Sequence, residues 1–400
     1  MSTASAPGAA AGRSRFATIP RFGLFTEDHD ALRSTVRDWV ARELAPHAEE
    51  WERSGGFPVR SVVREAGSLG LFGAKYGEAD GGSGPDVVAD AVITEELARC
   101  GSGGVVAALG AHKDLGPYYV GRFGTDEQRG RWLAPAIRGE RIGALAVTEP
   151  GAGSDVGGIS TQAERHDDAW RLTGEKAFVT NGSIADFAVV AAKTDPDAGN
   201  RGITLFVVDA TIEGYSASRV STVGWRTSYT GEIHLDGVRV GDDARIGGVN
   251  EGFALIMRNF QWERLAMALA AVSGAEETLR LAMAYADDRT AFGRPVSKFQ
   301  VWRHRFADMG TEIEAARSLT YHALRMTVAG EDATREVSMA KWYTNELAWR
   351  VADEALQVHG GYGYMMEFPV QRAWRDARLG PIGGGTTEIM KEVIGRLMGL

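Results

Sequence analysis

The hydrophobic period of this chain changes twice, and that pattern limits the fold more than any other property. From Thr26 to about Arg138 apolar residues recur at helical spacing. Leu32, Val36, Trp39, Val40 and Leu44 follow an acidic first turn, Glu27-Asp28-His29-Asp30. Further helices are expected over Val59–Leu69, Val87–Cys100 and Asp126–Ile137, the last with Thr125 as N-cap. The glycine-rich stretch Gly77–Gly84 reads as a mobile loop. Between Arg141 and Gly248 the period drops to two. Ile142–Val147, Trp170–Thr173, Lys176–Val179, Phe187–Lys193, Ile203–Val208 and Ile233–Val240 read as short strands, with Asn181-Gly182 and Asp236-Gly237 as turn dipeptides. From Asn250 the helical period returns. Asn250 is placed to cap a helix through Tyr285, whose Ala266, Ala268, Ala270, Ala271 and Gly274 permit close helix approach. Lys298–Ala329, Thr334–His359 and Thr387–Met398 follow as helices.

The expected fold is therefore α+β. A disordered tail over 1–20 precedes an N-terminal helical domain over 21–140. A middle antiparallel β-domain spans 141–248, and a C-terminal four-helix bundle spans 249–400. With 44% hydrophobic residues in 400, the chain has enough apolar material for two or three cores. A net charge of −9 without any basic stripe argues against a nucleic-acid partner. No run of eighteen apolar residues is present to span a membrane. The Ala/Ser/Gly-rich start, Met1–Gly12, lacks the apolar centre of a secretory signal, so a cytoplasmic location is expected. A single cysteine, Cys100, excludes an intrachain disulfide, a Cys-rich metal site and an iron–sulfur cluster. Histidines are scattered without ligand spacing, so no metal is expected.

Common cofactor and nucleophile devices are missing. Gly151 and Gly153 are followed by Val156 where a dinucleotide fingerprint needs its third glycine, and no P-loop or Gly-x-Ser-x-Gly elbow occurs. What stands out instead is Thr148-Glu149-Pro150-Gly151-Ala152-Gly153-Ser154-Asp155, directly after the first expected strand. It carries no bulk where the backbone turns, so peptide N–H groups and small hydroxyls can crowd against a flat or anionic ligand. Alone it reads equally well as an ordinary tight turn.

Four further segments follow in order: Phe178-Val179-Thr180-Asn181-Gly182, Arg289-Thr290-Ala291-Phe292-Gly293-Arg294-Pro295, Gln357-Val358-His359-Gly360-Gly361-Tyr362-Gly363 and Gly383-Gly384-Gly385-Thr386-Thr387-Glu388. With them the chain, from Thr26 to its C-terminus, resembles the acyl-CoA dehydrogenases, FAD enzymes of helix–sheet–helix order. The resemblance implies FAD as cofactor, with Val147, Thr148, Ser154, Phe178 and Thr180 around the isoalloxazine. It implies Arg289 and Phe292 on a loop crossing from a neighbouring subunit, Arg289 to the pyrophosphate. It brings the backbone at Gln357, Gly360 and Gly361 to the diphosphate, and Thr386 and Glu388 to the adenosine half. Three residues depart from the family pattern: Phe178 where Trp is frequent, Ala291 where Thr is, and Glu388 where Gln is.

The family's reaction needs a desolvated carboxylate that removes the thioester α-proton while the β-hydrogen leaves as hydride to flavin N5. Many members carry it just before a Gly-Thr pair; that position here is Gly384. The isovaleryl- and long-chain-like subgroup carries it instead on the first helix of the C-terminal domain, before an Arg, and Phe260-Gln261-Trp262-Glu263-Arg264 stands there. The resemblance thus implies Glu263 as the base. The plainer alternative is a helix-surface Glu paired to Arg264. The resemblance also implies that the Gly384 backbone N–H holds the thioester oxygen, and that Ser154, Gln261 and Arg264 touch substrate. It further implies an acyl-CoA substrate, an electron-transfer flavoprotein as acceptor and a homotetramer. Two alternatives stay open: the same chemistry on an acyl-carrier-protein thioester, and a flavin N-monooxygenase of the same fold, against which Glu263 speaks.

Overall fold

A computed structural model of the chain describes residues 23–400. The expected tail over 1–20 and the character of Met1–Gly12 lie outside the described residues. Thr26 opens α1 (Glu27–Trp39): its side chain accepts the His29 N–H while His29 Nδ1 takes the Thr26 N–H, a closed capping box. α2 (Ala48–Ser54), α3 (Val59–Ser68) and α4 (Val87–Leu97) follow. Periodicity misses α5 (Gly103–Asp114) and α6 (Gly116–Phe123). α5 starts on two glycines and is buried on most sides, from Val105 through Lys113 and Asp114, so no apolar stripe marks it. Thr125 caps α7 (Asp126–Gln128) in a second capping box. A π turn, Arg129–Leu133, carries the helix into α8 (Ala134–Ile137), where Pro135 has no N–H to offer the preceding turn. The expected mobile loop Gly77–Gly84 contains a single 3-10 turn, Glu78–Asp80, tied by Gly84 N–H to Tyr76 O at 2.9 Å. Its glycines serve close packing: a Cβ at Gly82 would collide with the Tyr76 carbonyl.

Eight strands form one sheet: β1 (Gly143–Ala146), β2 (Gln162–His166), β3 (Ala169–Val179), β4 (Phe187–Lys193), β5 (Ile203–Asp209), β6 (Tyr215–Arg219), β7 (Gly231–Gly241) and β8 (Arg245–Ile246). The order is β6-β7-β3-β2-β4-β5-β8, with β1 also on β4. Pairing is antiparallel except for β1 with β4 and one residue pair between β2 and β4. β4 is buried along its whole length, as a central strand covered on both faces must be. β2 and β6 are mostly exposed and polar, which hid them from a search for apolar alternation. Two expected strands, Trp170–Thr173 and Lys176–Val179, are one, β3. Asp236-Gly237 closes no hairpin: it lies inside β7, where two residues face one of β3 in a bulge and Gly237 takes φ +63°. Asn181-Gly182 ends β3 in a turn, but β3 and β4 do not pair.

The C-terminal part contains α9 (Gly252–Asp288), a small hairpin of β9 (Thr290–Ala291) and β10 (Arg294–Pro295), α10 (Gln300–Val328), α11 (Thr334–His359), α12 (Pro369–Ala377) and α13 (Thr387–Leu397). Asn250 is not the cap of α9. Its φ is +69°, its N–H donates to Thr204 Oγ1 at 2.8 Å, and Glu251 stands at the N-cap. The helix begins on Gly252 because a Cβ there would sit 2.9 Å from Ile203 O of β5. α11 is central, packed on α9, α10, α12 and α13. Among the described residues no helix is long and apolar enough to cross a membrane, and no cluster of His, Cys, Asp or Glu could hold a metal ion.

Candidate active site

One wall of the site grows from the end of β1. The Thr148 carbonyl accepts the Ala177 N–H at 2.8 Å, so the turn leaving β1 lies against β3. Glu149 and Ala152 exchange both backbone hydrogen bonds, closing the turn around Pro150 and Gly151. The Glu149 carboxylate accepts the Ser160 N–H at 2.6 Å, the Thr161 N–H at 2.9 Å and Lys176 Nζ at 2.7 Å. Lys176, fully buried, also donates to Val147 O at 3.2 Å. Burial alone would raise the Glu149 carboxyl, but Lys176 and the surrounding donors outweigh it and hold its pKa at about 2. Sequence reasoning left Glu149 and Lys176 out of the site, although both stand inside or beside its first two motifs.

This wall is shaped for a flat partner. Phe178 adopts φ +55°, an uncommon conformation for a bulky side chain, and is 68% exposed. Thr148 and Thr180 are half-buried and Ser154 is exposed. Gly151 and Gly153 have ordinary φ and nothing within 4 Å of where a Cβ would stand. No contact inside this chain requires glycine at either position. Asn181, at φ +64°, anchors the end of the wall through Nδ2 to Ala108 O of α5 at 2.8 Å.

A second wall is formed by α9 and the glycine loop before α13. Asn259, Glu263 and Met267 are four residues apart and share one face of α9. Gly384, at φ +63°, packs on that face: a Cβ there would stand 2.5 Å from Met267 Sδ and 3.5 Å from Glu263 Oε1. The Gly384 N–H donates to no acceptor among the described residues. Arg264 makes no ion pair with Glu263 among the described residues; its Nε donates to Gly384 O at 3.2 Å and its guanidinium lies over the Phe260 ring. Lys341 donates to Gly380 O at 2.9 Å and to Gly385 O, clamping the loop from α11. Glu263 is only partly exposed, has no ion pair among the described residues, and its Oε2 is shut from solvent without a hydrogen-bond partner. Gln261 Oε1 is likewise unpartnered. Burial pushes the Glu263 pKa up to about 7, against the nearby Arg264 and Lys341 and with help from Asp114. Thr386 accepts the Ile389 N–H as cap of α13, and Glu388 is exposed. Both border a pocket of about 190 Å³ shared with Trp349 and Arg378.

α5 links the two walls. Ala108, bonded to Asn181, and Asp114, bonded to Trp262, are six residues apart on it, roughly 9 Å. The remaining expected residues are elsewhere. Arg289 follows the last turn of α9, and Phe292, 97% exposed at φ +49°, forms the tip of the β9–β10 hairpin. Tyr285 stacks on His359 at 3.9 Å and Arg289 lies over the Tyr362 ring, so the Gln357–Gly363 segment joins this group. Gln357, Gly360 and Gly361 are exposed, with nothing near a Cβ at either glycine. From Glu263 to Asp288, α9 runs 25 residues, roughly 38 Å. The expected residues thus fall into two groups: one near Glu263, in the first half of α9, and one just past its C-terminal end.

Three family models match the chain: Acyl-CoA dehydrogenase, N-terminal domain, over residues 26–140; middle domain, over 144–238; and C-terminal domain, over 250–399. The long-chain specific acyl-CoA dehydrogenase, mitochondrial, of Mus musculus is 38% identical over 93% of this chain and 87% of its own length. The caffeyl-CoA reductase-Etf complex subunit CarC of Acetobacterium woodii is 37% identical over 94% and 99%. The crystal structure of acyl-CoA dehydrogenase from Geobacillus kaustophilus superposes with a TM-score of 0.91 at 39% identity, covering 94% of this chain and 99% of that one.

Proposed function

The chain belongs to the acyl-CoA dehydrogenase family, a family of FAD-dependent oxidoreductases, and from that premise we propose that it desaturates an acyl-CoA thioester between Cα and Cβ with Glu263 as base. The observation that carries the reading is the state of Glu263: buried at Oε2, unpaired, and poised at a pKa of about 7 beside Gly384. A base near neutrality takes up a proton without being silent at working pH. No second carboxylate competes at the loop, because position 384 is glycine. The N-monooxygenase alternative needs no such group, and Glu263 speaks against it.

FAD fits the first wall: Gly151 and Gly153 leave open space no internal contact demands, and Phe178 offers an uncovered ring. Val147, Thr148, Ser154, Phe178 and Thr180 would hold its ring end, with Thr386 and Glu388 toward its adenosine. When bound, FAD supplies the acceptor of the β-hydrogen, taken as hydride at N5. Glu263 removes the α-proton and, by neutralising, loses the penalty of a buried charge. The free Gly384 N–H holds the thioester oxygen as negative charge gathers there, with Gln261 and Arg264 beside the acyl group. Arg264, engaged with the Gly384 carbonyl, fixes the loop that carries this donor.

Arg289 and Phe292 follow the end of α9, and Gln357, Gly360 and Gly361 at the end of α11 join them through Tyr285 and Tyr362, away from the Glu263 part of the helix. A homotetramer, in which a neighbour's group closes each site, accounts for them. An electron-transfer flavoprotein is the acceptor we assign, supported by the Etf-complex relative. Domain limits of 21–140, 141–248 and 249–400 and membership of the long-chain-like subgroup belong to the same reading.

The test is anaerobic mixing of holoenzyme with straight, branched and carrier-bound acyl thioesters. Wild type should bleach its flavin absorbance with one class. Glu263→Gln should bind FAD and ligand yet reduce flavin slower by roughly 10³-fold or more. Near-normal bleaching in that variant would remove Glu263 as the base.

A further inference from the structure

The residue preceding Glu263 is held from another domain. The Trp262 indole N–H donates to Asp114 Oδ1 at 2.8 Å, and Asn259 Nδ2, one turn earlier, lies 3.4 Å from the Asp114 carbonyl. Asp114 ends α5 and belongs to a closed set of four buried charges. Lys113 Nζ is 2.6 Å from Asp90 and 3.0 Å from Asp114; Lys75 pairs with Asp114 and, at 3.2 Å, with Asp90. None of the four side chains is more than 6% exposed. Lys75 also lies over the rings of Tyr118, at 4.2 Å, and Trp262, at 4.9 Å.

Such a quartet is a poor source of stability, because apolar residues of equal volume often do as well or better. Its position suggests another use. Around Glu263 stand Arg264 on its own helix and Lys341 on α11, both favouring the carboxylate, and Tyr119 on α6, which is uncharged. Asp114 is the negative charge that opposes them. Lys113 and Lys75 in turn outweigh burial at Asp114 and keep it ionised.

We propose that Asp114 is a positioning residue for the base: it pins the Trp262–Glu263 turn of α9 through the indole bond and, held by Lys75 and Lys113, sets a fixed negative charge behind that turn. The proposal rests on Glu263 being the base. Its signature is a pair of opposite shifts. In Asp114→Asn, which preserves shape and an oxygen for Trp262, the quartet becomes positive, and the acidic limb of flavin reduction against pH should move down by about one unit. In Lys75→Met the quartet becomes negative, and the limb should move up.

The experiment measures anaerobic flavin reduction of holoenzyme from pH 5 to 9, with FAD content and thermal midpoint recorded for each variant. Limbs that coincide with wild type in a folded, FAD-loaded variant overturn the proposal. Trp262→Phe leaves every charge in place and should slow the plateau rate several-fold without moving the limb. An unchanged plateau there overturns the pinning role, even if neither charge variant folds. If Glu263→Gln still reduces flavin, the base assignment itself falls. If that variant is silent while the limbs coincide, only the role of Asp114 falls.

Discussion

At the scale of residues, the site turns on two positions, Glu263 and Gly384, that approach one another from separate elements. A Cβ at 384 would stand 3.5 Å from Glu263 Oε1, so a carboxylate from either position can reach nearly the same place. We expect Glu263→Gly combined with Gly384→Glu and Met267→Ala to reduce flavin at least tenfold faster than Glu263→Gly alone. Recovery will be incomplete, because φ +63° strains a side chain there by about 1 kcal/mol. No recovery in stopped-flow reduction would show that the two carboxylates do not converge. Glu263 also carries a pH signature in stability. Its pKa, about 7, lies above the ordinary 4.5, so its favourable contribution is full below pH 4.5 and is lost as pH rises through 7. Glu263→Gln should therefore be more stable than wild type at pH 8, by on the order of 2–3 kcal/mol, and nearly equal at pH 4. Glu149 has the opposite sign: held at about 2, it stabilises above pH 4.5 and stops doing so as pH falls toward 2. Lys176→Met strands that buried carboxylate and should cost about 3–5 kcal/mol in denaturant unfolding at pH 7; a loss under 1 kcal/mol would mean that the pair does not hold the turn.

At the scale of elements, α5 shows what could and could not be read in advance. Motif order pointed to both walls, since Thr148, Phe178, Glu263 and Gly384 lie in local segments with their own composition. The helix joining them was invisible because burial on most sides erases periodicity. The quartet was equally hidden: Lys75 comes from a loop, Asp90 from α4 and the Lys113-Asp114 pair from α5, and charged residues read as solvent-facing. Asp236-Gly237 failed for another reason, because a bulge and a hairpin ask for the same left-handed glycine. α5 also has an unusual start. The Ser102 hydroxyl is engaged with the Thr227 hydroxyl instead of capping the helix, and the cap comes from Asp376 of α12, 273 residues away, whose carboxylate accepts Gly103 N–H at 2.9 Å and Trp225 N–H at 2.6 Å. Asp376→Ala strands both donors and should destabilise the fold by about 2–4 kcal/mol in denaturant titration. A smaller effect than 0.5 kcal/mol would mean that solvent replaces the cap.

At the scale of the whole molecule, the separation of roughly 38 Å between Glu263 and the Arg289 group makes subunit mixing informative. Glu263→Gln and Arg289→Ala should each be impaired alone, yet co-expressed chains should regain activity, since some sites then take both intact residues from different subunits. Absence of regain in purified mixed oligomers would contradict a shared site. That same separation couples two equilibria that are usually independent. If cofactor retention and self-association draw on the same side chains, mass action governs both: diluting the protein below its assembly concentration would release flavin along with the neighbour, and added FAD would draw dissociated chains back together.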